Sequence, residues 1–149
     1  MNVAKDLDGD LGRAAACEVR RLYGDLEVDA LAERMGVAVE TSDRDGGYGT
    51  VVVFADYTPR PPRIRLYRRA IEVLDGHLAG YPDRDRLPEG TRPLFLAHEL
   101  FHHWEALHPG SRRSREQSEH AAGSFAMTLL GLPRHPEQLD RLARGAFQS

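Results

Sequence analysis

Cys17 and Lys5 are the only cysteine and the only lysine in this sequence of 149 residues. A lone cysteine excludes an intrachain disulfide, and Cys17, set among alanines in an expected helix, reads as a small buried apolar side chain. Long apolar runs are lacking too, so no segment reads as a bilayer span. Residues 1–8 are polar and acidic rather than apolar, unlike a secretory signal, and the expected location is cytoplasmic. Positive charge is not in excess either. The net charge of −3 gives no overall field to attract nucleic acid. The basic residues are almost all arginines, as codon usage in a GC-rich genome would produce. They are scattered rather than gathered into one block, which argues against a phosphate-binding surface. Internal repeats and low-complexity tracts are absent.

What is present suits one globular domain over residues 1–149, long enough to bury a core. Ala15, Val19 and Leu22 recur at helical spacing and predict a helix over residues 12–23. A second helix is expected over 29–35, stopping at Gly36, and a strand over 37–41. Residues 42–47 read as a turn, and 49–55, centred on Val51-Val52-Val53-Phe54, as a buried strand. The prolines of 58–62 predict a loop. Residues 63–68 alternate between basic and apolar, as a half-exposed strand near a sheet edge would. A helix over 69–78, a charged connection over 81–90, a helix from Thr91-Arg92-Pro93 to Leu107, another over 114–130 and a short one after His135-Pro136 complete the pattern. The expected class is α+β, a small mixed or antiparallel sheet flanked by helices.

His98-Glu99-Leu100-Phe101-His102 is an H-E-x-x-H sequence inside the helix expected to end at Leu107. Four residues advance an α-helix by about 400°, so both imidazoles point the same way, about one turn apart. Two nitrogens so placed can bind one zinc ion. Glu99 lies about 100° around the helix from His98, near a metal without ligating it. A carboxylate there can act as general base toward water in peptide hydrolysis.

A catalytic zinc needs a third protein ligand and an open position. His108 has the spacing of the H-E-x-x-H-x-x-G-x-x-H pattern, but position 105 holds a helix-forming glutamate instead of the glycine that would turn the chain back. Glu119 is better placed. It shares a helical face with Ala122, Phe125, Ala126, Leu129 and Leu130, so it begins an apolar stripe expected to pack inward. A charge there is costly unless paired or bound to metal. The small Ala121, Ala122 and Gly123 would let this helix approach the motif helix. Glu116, one turn earlier, is an alternative ligand.

These two helices, His98-Glu99-Leu100-Phe101-His102 and the run from Glu119 through Ala122, Phe125-Ala126 and Leu129-Leu130 to Pro133, resemble the ImmA/IrrE family of gluzincin-type metallopeptidases. The segment from Val28 to Val39 is also similar to the family's N-terminal region. The proline one residue late, the longer stretch 69–91 and Phe101, where the family often has glycine, depart from its pattern. The resemblance implies a zincin-like fold with the motif helix packed on the Glu119 helix, and Glu119 as third zinc ligand. It implies a bacterial or phage protein that cleaves a regulator, typically a helix-turn-helix repressor. From the charge and the lack of apolar runs no direct contact with nucleic acid or membrane is expected, and the repressor is expected to be another polypeptide.

The function expected is therefore a zinc-dependent endopeptidase of narrow specificity, with His98, His102 and Glu119 as metal ligands and Glu99 as catalytic residue. The alternatives are a zinc-binding regulatory module that does not cleave its partner, and a metal-free helical adaptor. His103 and His120 are candidates to stabilise an oxyanion, although His103 reads as a solvated surface histidine. Tyr48, Tyr57 and Tyr67 could each supply a phenol. Phe95 and Trp104 read as core. Strand 63–68 could take an extended peptide along its edge.

Overall fold

The computed structural model of the chain describes residues 3–44, 53–81, 84–110 and 113–132. Within them the chain is α+β, with five α-helices and a three-stranded mixed sheet. Small residues decide how the helices stack. Helix α1 (Val3–Tyr23) turns Gly9, Gly12, Ala15, Ala16 and Val19 inward. That face packs on the last described helix, α5 (Arg115–Leu129), buried without a break from residue 121 to 127. A helix enclosed on all sides needs neighbours on all sides, and those of α5 are α1 and α4 (Arg92–Leu107). A β-carbon on Gly12 would lie 2.3 Å from the Ala121 carbonyl oxygen and 2.8 Å from the Phe125 nitrogen. The Ser124 hydroxyl donates to the Gly9 carbonyl at 2.8 Å, and the Arg20 guanidinium caps α5 at the Leu129 carbonyl. At Gly12, α1 thus meets α5 backbone to backbone, and α4 packs on α5 as well.

This packing corrects the reading of α1. The helix begins at Val3, Cys17 is exposed, and Leu22 is 62% exposed. Arg20 already meets the end of α5, so Leu22 lies past the helix it would have packed against.

Helix α2 (Val28–Arg34) leads into β1 (Ala38–Ser42). Strands β2 (Ala55–Pro59) and β3 (Pro62–Tyr67) form a hairpin, and the order is β1-β3-β2, with β1 parallel and β2 antiparallel to β3. The strand expected at an edge is therefore central and has no free edge for a peptide. Its alternation arises because one sheet face is covered and the other open. Ile64 and Leu66 are buried with Val39, Tyr57 and Ala55 on their side. On the other side Glu40 pairs with Arg63 at 3.3 Å and Arg65 at 3.5 Å. The proline segment is not all loop. Pro59 and Pro62 face each other at the turn end of the hairpin, where a missing N–H is tolerated. Of the strand expected over 49–55, only Ala55 falls in a strand; residues 49–52, Tyr48 and the helix after His135-Pro136 lie outside the described residues.

Helix α3 (Arg68–Asp75) follows the sheet and ends earlier than expected; 3₁₀ turns at Leu78–Gly80 and Arg84–Arg86 carry the chain to α4. The start of α4 is anchored from outside. Asp75 Oδ1 accepts hydrogen bonds from both the backbone N–H (2.8 Å) and the hydroxyl (2.7 Å) of fully buried Thr91. Thr91 thus stands at the helix start but lends its hydroxyl to Asp75 rather than to the first turn. Gly90, at φ +85°, leaves room for that carboxylate. Phe95 stacks on Phe54 with ring centroids 4.6 Å apart, and Trp104 is buried. Among the described residues no helix is long and apolar enough to cross a membrane.

Replacing a mid-helix glycine by alanine normally stabilises a helix by about 0.5–1 kcal/mol. Gly12→Ala should do the opposite, lowering stability by about 1–3 kcal/mol as α1 and α5 are forced apart. Urea unfolding of the two proteins reads the difference, and a stabilised variant would contradict this packing.

Candidate metal centre

Helix α4 places His98 and His102 one turn apart, ring centroids 5.2 Å from each other. Opposite them, α5 presents Glu119 from its second turn. Glu119 Oε2 is 2.8 Å from His98 Nε2, and Oε1 is 3.2 Å from His102 Nε2. The ligand atoms of these three residues all lie within 4.8 Å of one another, and the group could hold a metal ion. Among the described residues this is the one such cluster of three or more His, Cys, Asp or Glu side chains. The side chain of His102 is 16% exposed and that of Glu119 49%, so the cluster opens to solvent on the Glu119 side. The stripe that starts at Glu119 packs inward at Ala122, Phe125, Ala126 and Leu129, while Glu119 itself turns to the two histidines. It sits at the exposed end of α5, before the buried run.

The start of α5 is fixed locally. Ser114 caps it in a capping box with Gln117, the hydroxyl accepting from the Gln117 N–H at 3.1 Å and the Gln117 side chain accepting from the Ser114 N–H at 2.8 Å.

Charge is concentrated here. Hydrogen bonds from His102 and His98 hold the Glu119 carboxyl well below the usual carboxylate range. Burial works against a charged His102, but the hydrogen bond to Glu119 and the charges of Glu99, Glu119 and Glu105 outweigh it and raise its pKa. Glu99, on the next face of α4, is half-buried. Desolvation raises its pKa, with His98 and His102 opposing and Glu119 and Asp56 adding to the rise.

His102 is also held from behind. Its Nδ1 lies 3.3 Å from the Ser118 hydroxyl, which is 2.6 Å from Glu105 Oε1, and Arg113 reaches Glu105 Oε2 at 3.2 Å. Sequence reasoning missed these three residues and treated Glu105 only as a helix former. Its position three residues after His102, on a neighbouring part of the helix surface, was the available signal.

No family model, curated protein or solved structure matches this chain.

The other candidates are spoken for elsewhere. His103 is buried, not solvated. Its Nδ1 lies 2.8 Å from the Tyr57 hydroxyl, the ring also hydrogen-bonds the Met35 backbone, and burial lowers its pKa. The phenol of Tyr67 is bonded to Asp56. His108 ends α4 stacked on Trp104, donates from Nδ1 to the Trp104 carbonyl at 2.7 Å, and turns Nε2 toward Glu18. The structure does not bring it to His98 and His102. Glu116 is exposed and His120 half-buried.

Titrating metal-stripped protein with divalent ions, followed by calorimetry, should give about one ion per chain. His98→Ala and Glu119→Ala should each weaken that binding by more than roughly 100-fold, beyond the range of supporting residues. Binding unaffected by both changes would place the ion elsewhere.

Proposed function

We propose that the chain is a zinc-dependent endopeptidase directed at a specific regulatory protein, with His98, His102 and Glu119 as zinc ligands and Glu99 as general base. The observation that carries this reading is the convergence of the two α4 imidazoles on the α5 carboxylate, with Glu99 one residue beyond His98. Two imidazoles and one carboxylate are a donor set that catalytic zinc takes, with bonds of about 2.0–2.1 Å. Tetrahedral bonds of that length put neighbouring donors about 3.3 Å apart. The contacts of 2.8 and 3.2 Å across the cluster are near that separation.

Bound zinc supplies a Lewis acid and lowers the pKa of water at its open position. The chain's residues do the rest. His98, His102 and Glu119 would hold the ion. Glu99 accepts a proton at its carboxylate, and desolvation makes it a stronger base than an exposed glutamate. The packing of α4 on α5 is what a zincin-like site requires, and the resemblance of these two helices to the ImmA/IrrE family supports a helix-turn-helix regulator as the protein cleaved. A zinc module that only binds its partner would have no use for Glu99.

Incubating the zinc-loaded protein at high concentration with a quenched-fluorescence peptide library should reveal slow, selective cleavage, and little on casein. Glu99→Gln should keep zinc and lose roughly 100-fold or more of the cleavage rate, and a chelator should abolish it. Full activity in Glu99→Gln would contradict the role given to this carboxylate.

A further inference from the structure

The hydrogen bonds behind His102 run in one direction. Arg113 Nη1 donates to Glu105 Oε2 at 3.2 Å, which ties the Glu105 side chain in place. Ser118 has a single hydroxyl hydrogen, and it goes to Glu105 Oε1 at 2.6 Å. The Ser118 oxygen then has only lone pairs left for His102 Nδ1, 3.3 Å away. The proton between them must come from the imidazole. A neutral His102 with its proton on Nδ1 carries its lone pair on Nε2, the nitrogen that faces Glu119. Glu105 and Arg113 are mostly enclosed, with side chains 22% and 14% exposed, so solvent does not substitute for these partners.

We propose that Arg113, Glu105 and Ser118 form a positioning relay that keeps the His102 proton on Nδ1 and presents Nε2 to a metal. The relay rests on the metal reading above. It also links the two helices that carry the ligands, because Glu105 and His102 belong to α4 while Ser118 adjoins Glu119 on α5. His98 has no such chain among the described contacts; its Nε2 meets Glu119 directly. The two histidines are therefore not equivalent, and His102 is the one whose ring orientation is set in advance.

The test is zinc affinity, measured by competition with a chelator on the full chain, together with the visible spectrum of the cobalt(II)-loaded protein. The variants are Ser118→Ala, Glu105→Ala, both together, and Ser118→Thr. Each alanine change should weaken zinc by about 10–100-fold and shift the cobalt bands. The double variant should bind no more weakly than the worse single one, since both changes break one chain. Ser118→Thr, which keeps the hydroxyl, should restore affinity and spectrum. Single variants that bind zinc as tightly as wild type overturn the relay, as do losses that multiply in the double variant or a threonine that restores nothing. A wild type that takes up no zinc overturns the metal reading itself, and the relay with it. A zinc-binding wild type with indifferent variants overturns the relay alone.

Discussion

The contact on which the rest depends is the close packing of α5 between α1 and α4. On the α1 side the bare backbone of Gly12 closes on α5, and on the α4 side α5 sets Glu119 across from two histidines. Packed cores are not continuously deformable, so an ångström of slack at Gly12 would be passed along α5 to the cluster. Asp75 fixes the opposite partner by holding the first residues of α4 through Thr91. Neither anchor touches the candidate centre, yet the geometry of the centre follows from both.

The electrostatic arrangement has the same logic. Three carboxylates, Glu99, Glu105 and Glu119, lie around two imidazoles, and each is partly withdrawn from water. Unpaired, such charges would be costly to enclose. Glu119 is compensated by the histidines, Glu105 by Arg113 and Ser118, and Glu99 least of all, which is why desolvation dominates its titration. A metal ion held among His98, His102 and Glu119 would add positive charge to this cluster. Burial of His103, with Tyr57 and the Met35 backbone as partners, removes a nearby imidazole from competition for that ion.

What could be read from the sequence was local. Helical spacing alone brought His98 and His102 to one side of α4, and apolar periodicity located most of α2 to α5. Glu119 was found from the apolar stripe that starts at it; Ala122, Phe125, Ala126 and Leu129 are buried as expected, while Glu119 itself is half exposed and pairs with His98 and His102. Features set by distant partners were not legible. His103 looked solvated because Tyr57 comes from a strand 46 positions away, and Ser118 and Arg113 carry no periodic signal at all. The central place of β3 was hidden because an alternating strand looks alike at an edge and beneath a covered face. Gly12 read as the start of a helix rather than as its point of closest contact.

The most direct test of the account is the X-ray absorption spectrum at the zinc edge of the zinc-loaded wild-type protein. The spectrum should show a first shell of nitrogen and oxygen only, at about 2.0–2.1 Å, with the outer-shell scattering of two imidazoles. A shell with sulfur, or one of oxygen alone without imidazole scattering, would contradict the centre built from His98, His102 and Glu119.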